Sequence, residues 1–582
     1  MTLPRSPILV IALCATLVFS ACRQADEKAK APLIAGHASS QVYFGGDILT
    51  MAGAEPAYVE ALTVRDGRIA FAGSKADALR AAGEGAEQID LHGHTLLPGF
   101  VDAHSHLLNY ADSLVQANLN PPPIGDVQSI ADLLARMRAL KERLKADDST
   151  LLVGQGYDQD FLAEKRHPTA ADLDAAFPAN PVILVHTSGH MLVANSAALR
   201  LAGVTAKTPD PEGGTIIRKA GSREPVGLVQ ETGMMAFAPL LKAPRDPAVS
   251  ADLMRRAVEH YASYGVTTAA EHLVVPAQIP VLEAAADRGL LKIDLVAAPI
   301  YLMTDTVIGT NKIHWGEYRN GLKYAGIKLT LDGSPQGKTA FLSRPYLTPV
   351  PGCRGDCRGF ASIPQDEVNR LMLLAYRHHV PVFAHCNGDA AIDSLLEGHR
   401  FAERELGETS TDRRTVVIHS QIVRPDQLAS YRQYGLIPSF FTNHVYYWGD
   451  THLANLGQER ADFLSPLNSA LKLGIAATNH TDNIVTPVDP MFLLWTSVTR
   501  TTRSGKVLGA LEKVTPYDGL RALTINGAHQ YFEERTKGSL EAGKLADLVV
   551  LDQNPVKVPP EAIARTRVVE TIKAGTVIYR TP

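Results

Sequence analysis

Two histidines spaced two apart, His104 and His106, close the apolar run GFVDAHSH. On an extended chain residues i and i+2 point to the same side, so both imidazoles can reach one ion. His385 closes VPVFAH, His419 closes TVVIH, and Asp482 follows GIAATNHT. A single histidine at a strand end is ordinarily a satisfied rim or core residue. Four of them with an aspartate, all at the ends of apolar runs, strain that explanation. They supply the nitrogen and oxygen donors that a borderline divalent ion such as zinc takes, with a position left for water. The chemistry of such a set is attack by a water of lowered pKa on a polarised carbonyl.

Eight runs rich in β-branched residues carry these groups or lie between them: GFVDAH, GVTTAAEH, IDLVAAPIYL, GIKLTLDG, VPVFAHC, TVVIHSQ, LIPSFF and GIAATNHTD. Amphipathic helical patterns alternate with them, at 252–263, 366–378, 389–406 and 425–434. Alternation of this kind predicts an α/β chain with parallel strands, and eight is the closure number of a (β/α)8 TIM-like barrel. Such a barrel places its active site at the carboxyl ends of the strands, where the polar residues recur. The barrel is expected over 98–530, with a long insertion at 110–250. A structureless connection of that length would be improbable, so the insertion is expected to be a subdomain or lid with its own helical and turn signals. Residues 41–97 and 531–582 read as short alternating strands with DG and GG turns. Neither makes a covered sheet alone, and together they predict one small composite β-sandwich.

Residues 1–21 read as an export signal: Arg5 is followed by an apolar stretch from Ile8 to Phe19, too short to span a bilayer. The run FSAC resembles a bacterial lipobox, with Phe19 where leucine is usual, and makes Cys22 the expected lipidated residue. The alternative is an ordinary secretory peptide cleaved nearby. Residues 22–40 are polar and Ala-rich, as a tether should be. The expected location is therefore the bacterial cell envelope, lipid-anchored at the periplasmic face or outer membrane, with the membrane touched only through that anchor. The chain has 582 residues and a formal net charge of -4, which leaves no footprint for nucleic acid. A second copy of the chain, as a homodimer, is the one macromolecular partner left open. Of five cysteines, Cys353 and Cys357 sit in PGCRGDCRGF, where a short-loop disulfide is expected over a zinc pair, leaving Cys386 a free thiol.

Several motifs together resemble the amidohydrolase superfamily. TLLPGFVDAHSHL is similar to its first-strand signature and GSLEAGKLADLVVLD to its usual C-terminal strand. The segments HTSGHMLVANSAALRLAG, TPDPEGGTI, GIKLTLDGSPQGKTAFLSRPY, FAHCNGDAAID and TVVIHSQ resemble the branch often called amidohydrolase family 3, or YtcJ-like. The resemblance covers nearly all of the mature chain and implies a (β/α)8 barrel with a composite β-sandwich. It implies His104, His106, His385 and His419 as metal ligands, and Lys328 as a carboxylated lysine able to bridge two ions. The cofactor would be one or two divalent metal ions, zinc foremost. Asp482 would touch the metal, accept a proton from the water and return it to the leaving nitrogen.

The chain departs from the family in reading ATNHTD before that aspartate, where a small-residue run is common. Pro487, Asp489 and Pro490 fit the family pattern downstream and favour Asp482 over Asp489. His480 is then a supporting or structural group. His190, in SGHMLVANS, is a candidate contact for a substrate carbonyl or acyl group, with a structural histidine as the alternative. Arg344 is a candidate carboxylate clamp, or else a surface or packing group. The implied activity is hydrolysis of an amide-type, non-peptide carbon–nitrogen bond in a small molecule. The alternatives are an ester or lactone hydrolase or a deaminase on the same fold, or a non-catalytic envelope binding lipoprotein. Lys328 speaks against a mononuclear deaminase, and the intact ligand set against lost catalysis.

Overall fold

A computed structural model describes residues 40–242, 245–310, 312–408 and 412–582. The expected signal peptide, Cys22 and all but the last residue of the tether lie outside the described residues. Among the described residues no helix is long and apolar enough to cross a membrane.

Each of the eight apolar runs contributes one parallel barrel strand: β1 (Phe100–Val101), β2 (Val266–Val274), β3 (Asp294–Pro299), β4 (Ile327–Thr330), β5 (Val382–Cys386), β6 (Val416–His419), β7 (Ile437–Phe440) and β8 (Thr478–Asn479). They pair as β1-β2-β3, with Leu322–Tyr324 beside β3, and as β4-β5-β6-β7-β8. At one seam Ile300 bridges Lys328 in parallel. At the other, hydrogen bonds run just past the strand ends, from the Asp482 amide to the His104 carbonyl (3.1 Å) and from the His106 amide to the Asn483 carbonyl (2.8 Å). The strands thus form a (β/α)8 barrel whose ladder is interrupted at these two seams. Every residue of β5, β6 and β7 is buried, which is why they read as continuous apolar runs rather than alternating ones.

The helices follow from the same patterning. In Gln365–Arg377, Val368, Leu371, Met372, Ala375 and Tyr376 are buried, the i, i+3, i+4 spacing of one helix face. Asp389–Leu406 stops at Gly407, whose φ of 66° is the left-handed cap position glycine takes without strain. Inside the barrel, Val101, Val296, Phe383, Val416, Ile418 and Ile437 pack into one apolar cluster. Phe383 lies two residues before His385 on the same face of β5, so this plug fills the layer beneath the polar groups.

The chain ends meet in one eight-stranded sheet. Leu548–Leu551 pairs antiparallel with Thr95–Pro98, and the sheet carries Gln41–Leu49, Tyr58–Arg65 and Arg68–Gly73 on one side and Val568–Lys573 and Thr576–Arg580 on the other. The edge strand Arg68–Gly73 meets the segment that leads into Leu548–Leu551, where the Ile69 amide donates to Lys544 O (2.8 Å) and the Ala546 amide to Gly67 O (2.9 Å). Leu62, Val64, Leu548 and Val550 therefore share one core.

The insertion holds a separate six-stranded sheet, in the order 214–218, 225–231, 191–194, 182–186, 152–157, 117–118, packed with the helices Ile130–Leu144, Ala170–Ala176 and Ser196–Leu201. Cys353 and Cys357 form a disulfide, and Cys386 is a buried free thiol.

Candidate metal centre

At the carboxyl ends of the barrel strands lies a cavity of about 320 Å³. His104, His106, Lys328, His385, His419 and Asp482 all line it, and so does His190. His104 Nε2 lies 3.3 Å and His106 Nε2 3.4 Å from Asp482 Oδ1, while His419 Nδ1 is 4.0 Å from Asp482 Oδ2. The rings of His385 and His419 are 4.5 Å apart, and those of His104 and His419 5.2 Å. Two three-residue groups bring their donor atoms within 4.8 Å of one another: His104, His106 and Asp482, and His419, His480 and Asp482. Asp482 belongs to both.

Backbone geometry is strained where these side chains leave their strands. His419 (φ 70°) and Asp482 (φ 50°) are non-glycine residues in the left-handed region, which costs of order 1–3 kcal/mol each. Neighbouring bonds hold them. Asp102 accepts from the Thr481 amide (3.0 Å) and hydroxyl (2.6 Å), and the Ser420 amide donates to the Cys386 carbonyl (3.0 Å). The strain aims both side chains inward.

Each histidine also has a supporting partner, which fixes ring orientation as outer groups do around metal sites. His104 Nδ1 sits 3.0 Å from His272 Nδ1, and His106 Nδ1 is 3.7 Å from Glu271 Oε1. Glu271 is itself fixed by the Leu108 amide (2.6 Å). His419 Nδ1 lies 3.1 Å from His480 Nε2, whose other nitrogen is 2.9 Å from the Ser439 hydroxyl. His385 Nε2 is 3.1 Å from both the Gly333 carbonyl and Asn387 Nδ2. Asp332, the last residue but one of the run that supplies Lys328, accepts from three backbone amides, those of Asn387, Gly388 and Phe341 (2.9, 2.8 and 3.0 Å), and so shapes the turn after β5.

The electrostatics suit a cation. Burial pushes His104, His385 and His419 well below the ordinary imidazole range, leaving them neutral donors. Burial alone would raise Asp482, but His419 and His106 outweigh it and hold the carboxyl well below its usual range. Burial opposes a charge on His106 too, yet the carboxylates of Asp482 and Glu271 bring it up to about 9. Burial draws the Lys328 ammonium down to about 7, with Asp482 opposing. Lys328 Nζ and Asp482 Oδ1 are buried without a hydrogen-bond partner among the described residues. A buried polar atom left unpaired costs about 1–3 kcal/mol, so two beside four imidazoles mark a place where something else completes the set. The donors fit a divalent ion.

A model of the amidohydrolase family matches residues 87–579, most of the chain. The chain belongs to the amidohydrolase family. This amidohydrolase is 27% identical over 542 residues to the N-substituted formamide deformylase of Arthrobacter pascens, covering 89% of this chain and 95% of the relative. It is 26% identical to the putative amidohydrolase YtcJ of Bacillus subtilis (strain 168), covering 92% and 99%. Among solved structures, an uncharacterized metal-dependent hydrolase from Pyrococcus horikoshii OT3 superposes with a TM-score of 0.70 at 24% identity, covering 90% of this chain and 99% of that one, a likeness of fold. By family the chain is thus a hydrolase, and two groups of His and Asp side chains in it could hold a metal ion.

His190 reaches the cavity of the amidohydrolase from the insertion's sheet. Its Nδ1 is 2.8 Å from Glu231 Oε2, and its ring lies 4.7 Å from that of His385. Burial opposes protonation of His190, but the Glu231 carboxylate raises it. Arg344 is not brought to the site. Asp389 accepts from the Ser343 amide (2.8 Å) and hydroxyl, which pins that segment to the start of Asp389–Leu406. The guanidinium then points to solvent beside Glu459 (3.2 Å), more than half exposed. The expected carboxylate clamp is therefore a surface ion pair. Glu231, Glu271, His272 and Asp332 were not singled out from sequence. The end of GVTTAAEH carried a signal for Glu271 and His272, a polar pair closing an apolar run like those of the metal ligands.

Proposed function

We propose that this amidohydrolase cleaves an amide-type, non-peptide carbon–nitrogen bond of a small molecule. One observation carries the reading: an ionised aspartate and an unpartnered buried lysine share one cavity with four imidazoles, three of which burial holds neutral. His104, His106, His385, His419, Asp482 and a carboxylated Lys328 would hold one or two divalent ions, and zinc suits these donors. When bound, such an ion supplies Lewis acidity toward the carbonyl oxygen and lowers the pKa of water. The carbamate forms when the neutral Lys328 amine attacks carbon dioxide, making an N–C bond and releasing one proton. A buried amine near pH 7 in its titration favours that step. Asp482 takes the proton from the attacking water and delivers it to the leaving nitrogen as the carbon–nitrogen bond breaks. His190, steadied by Glu231, donates a hydrogen bond to the substrate carbonyl from beside His385. We also read Cys22 as a lipid anchor in the envelope; incorporation of labelled palmitate by the wild type but not by Cys22→Ala supports that, and equal labelling overturns it.

The test is a panel of N-substituted formamides, N-acyl amino acids, cyclic amides and simple esters, given to zinc- or manganese-loaded protein. Turnover of amides above esters is expected. Turnover of esters alone, or of nothing in fully loaded protein, would replace this reading.

A further inference from the structure

The outer half of the metal cavity carries a chemistry of its own. Met235, Leu273 and Leu302 line it and are 47%, 36% and 56% exposed. Met234, Leu241 and Ile300 continue the same wall. These side chains come from separate elements: Thr232–Phe237 and Ala238–Leu241 of the insertion, β2, and the turn Tyr301–Met303 after β3. Convergence of exposed apolar groups from separate elements at one opening is unusual on a soluble surface and marks a binding site.

The charges there are already engaged. Lys242 Nζ is 3.0 Å from Asp112 Oδ2 and donates to Asn109 Oδ1 (2.7 Å), and Asp112 also pairs with Arg245. Glu231 is held by His190 (2.8 Å). Arg344, which could have met a carboxylate, points to solvent beside Glu459. Among the described residues the charged groups of this wall are paired with one another, so a second ionised group on the substrate would have to displace Lys242 from Asp112 or stay unpaired, which is costly.

We propose that the substrate is a neutral amide carrying one uncharged apolar substituent, of alkyl-chain or aromatic-ring size, which lies against Met235, Leu273 and Leu302 while the amide faces the metal ligands. This deepens, and rests on, the amide-cleaving reading above. N-acyl amino acids with a free carboxylate are excluded as good substrates.

The experiment compares N-alkylformamides from ethyl to hexyl, the mirrored N-methylalkanamides, and N-formyl-6-aminohexanoate as a charged counterpart. The expected kcat/KM rises about three- to fourfold per methylene in at least one series, the worth of burying one such group. The carboxylate-terminated compound is expected at least about tenfold below its neutral homologue, by the cost of an unpaired charge. A Leu273→Ser/Leu302→Ser variant, altered only at exposed positions, should cut the hexyl-to-ethyl ratio by about tenfold with an unchanged melting temperature. Calorimetric binding of hexylurea and 6-ureidohexanoate to metal-free protein gives a readout that needs no turnover: hexylurea is expected to bind more tightly, and less so to the double variant. Flat series with equal binding of the two ureas would overturn the apolar wall while amide cleavage stands. No amide turnover, with hexylurea preference still lost in the variant, would keep the wall and remove the amide reading.

Discussion

Lys328 gives the most demanding quantitative expectation. With its ammonium drawn down to about 7, roughly one molecule in ten has the neutral amine at pH 6 and roughly nine in ten at pH 8. An ordinary lysine titrating near 10.4 would be neutral in fewer than about one in a hundred at pH 8. Only the neutral amine attacks carbon dioxide. At constant dissolved carbon dioxide, the rate of carbamate-dependent metal uptake by chelator-stripped protein should therefore rise about tenfold from pH 6 to pH 8 and then level off. Metal per chain by mass spectrometry follows the uptake, and a carbamate signal in 13C spectra of protein given labelled bicarbonate identifies the adduct. Lys328→Met should take up less metal and show neither the pH rise nor the signal. The same burial has a stability consequence. The folded pKa of Lys328 lies below the unfolded one, so between about 7 and 10.4 the unfolded chain binds the extra proton and metal-free protein gains stability as pH rises. Lys328→Met should lose that gain. Metal uptake indifferent to carbon dioxide at every pH, with no carbamate signal, would refute the reasoning.

Three further outcomes are expected. Asp482→Asn should lower kcat about 10²–10⁴-fold with unchanged circular dichroism, because the proton acceptor is lost; near-normal kcat would reassign the base. Glu271→Ala removes the carboxylate beside His106 Nδ1 (3.7 Å) and should weaken metal affinity about 10–100-fold in competition with a chelator. Arg500 is fully buried and donates to the carbonyls of Leu508, Ser465 and Leu464 (2.8, 3.2 and 2.7 Å). Arg500→Met strands three acceptors at about 1–3 kcal/mol each, so thermal inactivation should be markedly faster than for the wild type.

The barrel was legible because its signals are local: each strand is a short buried run, and each candidate ligand is the polar residue that ends one. Lys328 alone sits inside its run, and the residue-type pattern could not place it; the family resemblance did. The insertion was harder. Its six strands were read only as helical and turn signals, because segments such as 152–157 and 214–218 mix glycine, glutamine and threonine into short stretches that acquire a pattern only when paired. The supporting groups were missed for another reason. Glu231 and Glu271 matter through a partner 41 and 165 residues away, and such pairing exists only after folding. Arg344 failed the opposite way, since its residue type suited a clamp but Asp389 anchors its neighbour elsewhere.

The shared sheet of the two termini sets an order of events. Thr95–Pro98 gains its antiparallel neighbour Leu548–Leu551 only about 450 residues later in synthesis. Until then Leu96 and Leu97, both fully buried in the finished protein, present an open edge one step upstream of the strand that bears His104 and His106. A nascent chain stopped short of residue 548 would keep all six proposed ligands yet lack the clasp beside the first barrel strand, so Leu548–Leu551 acts as a latch on that end of the barrel.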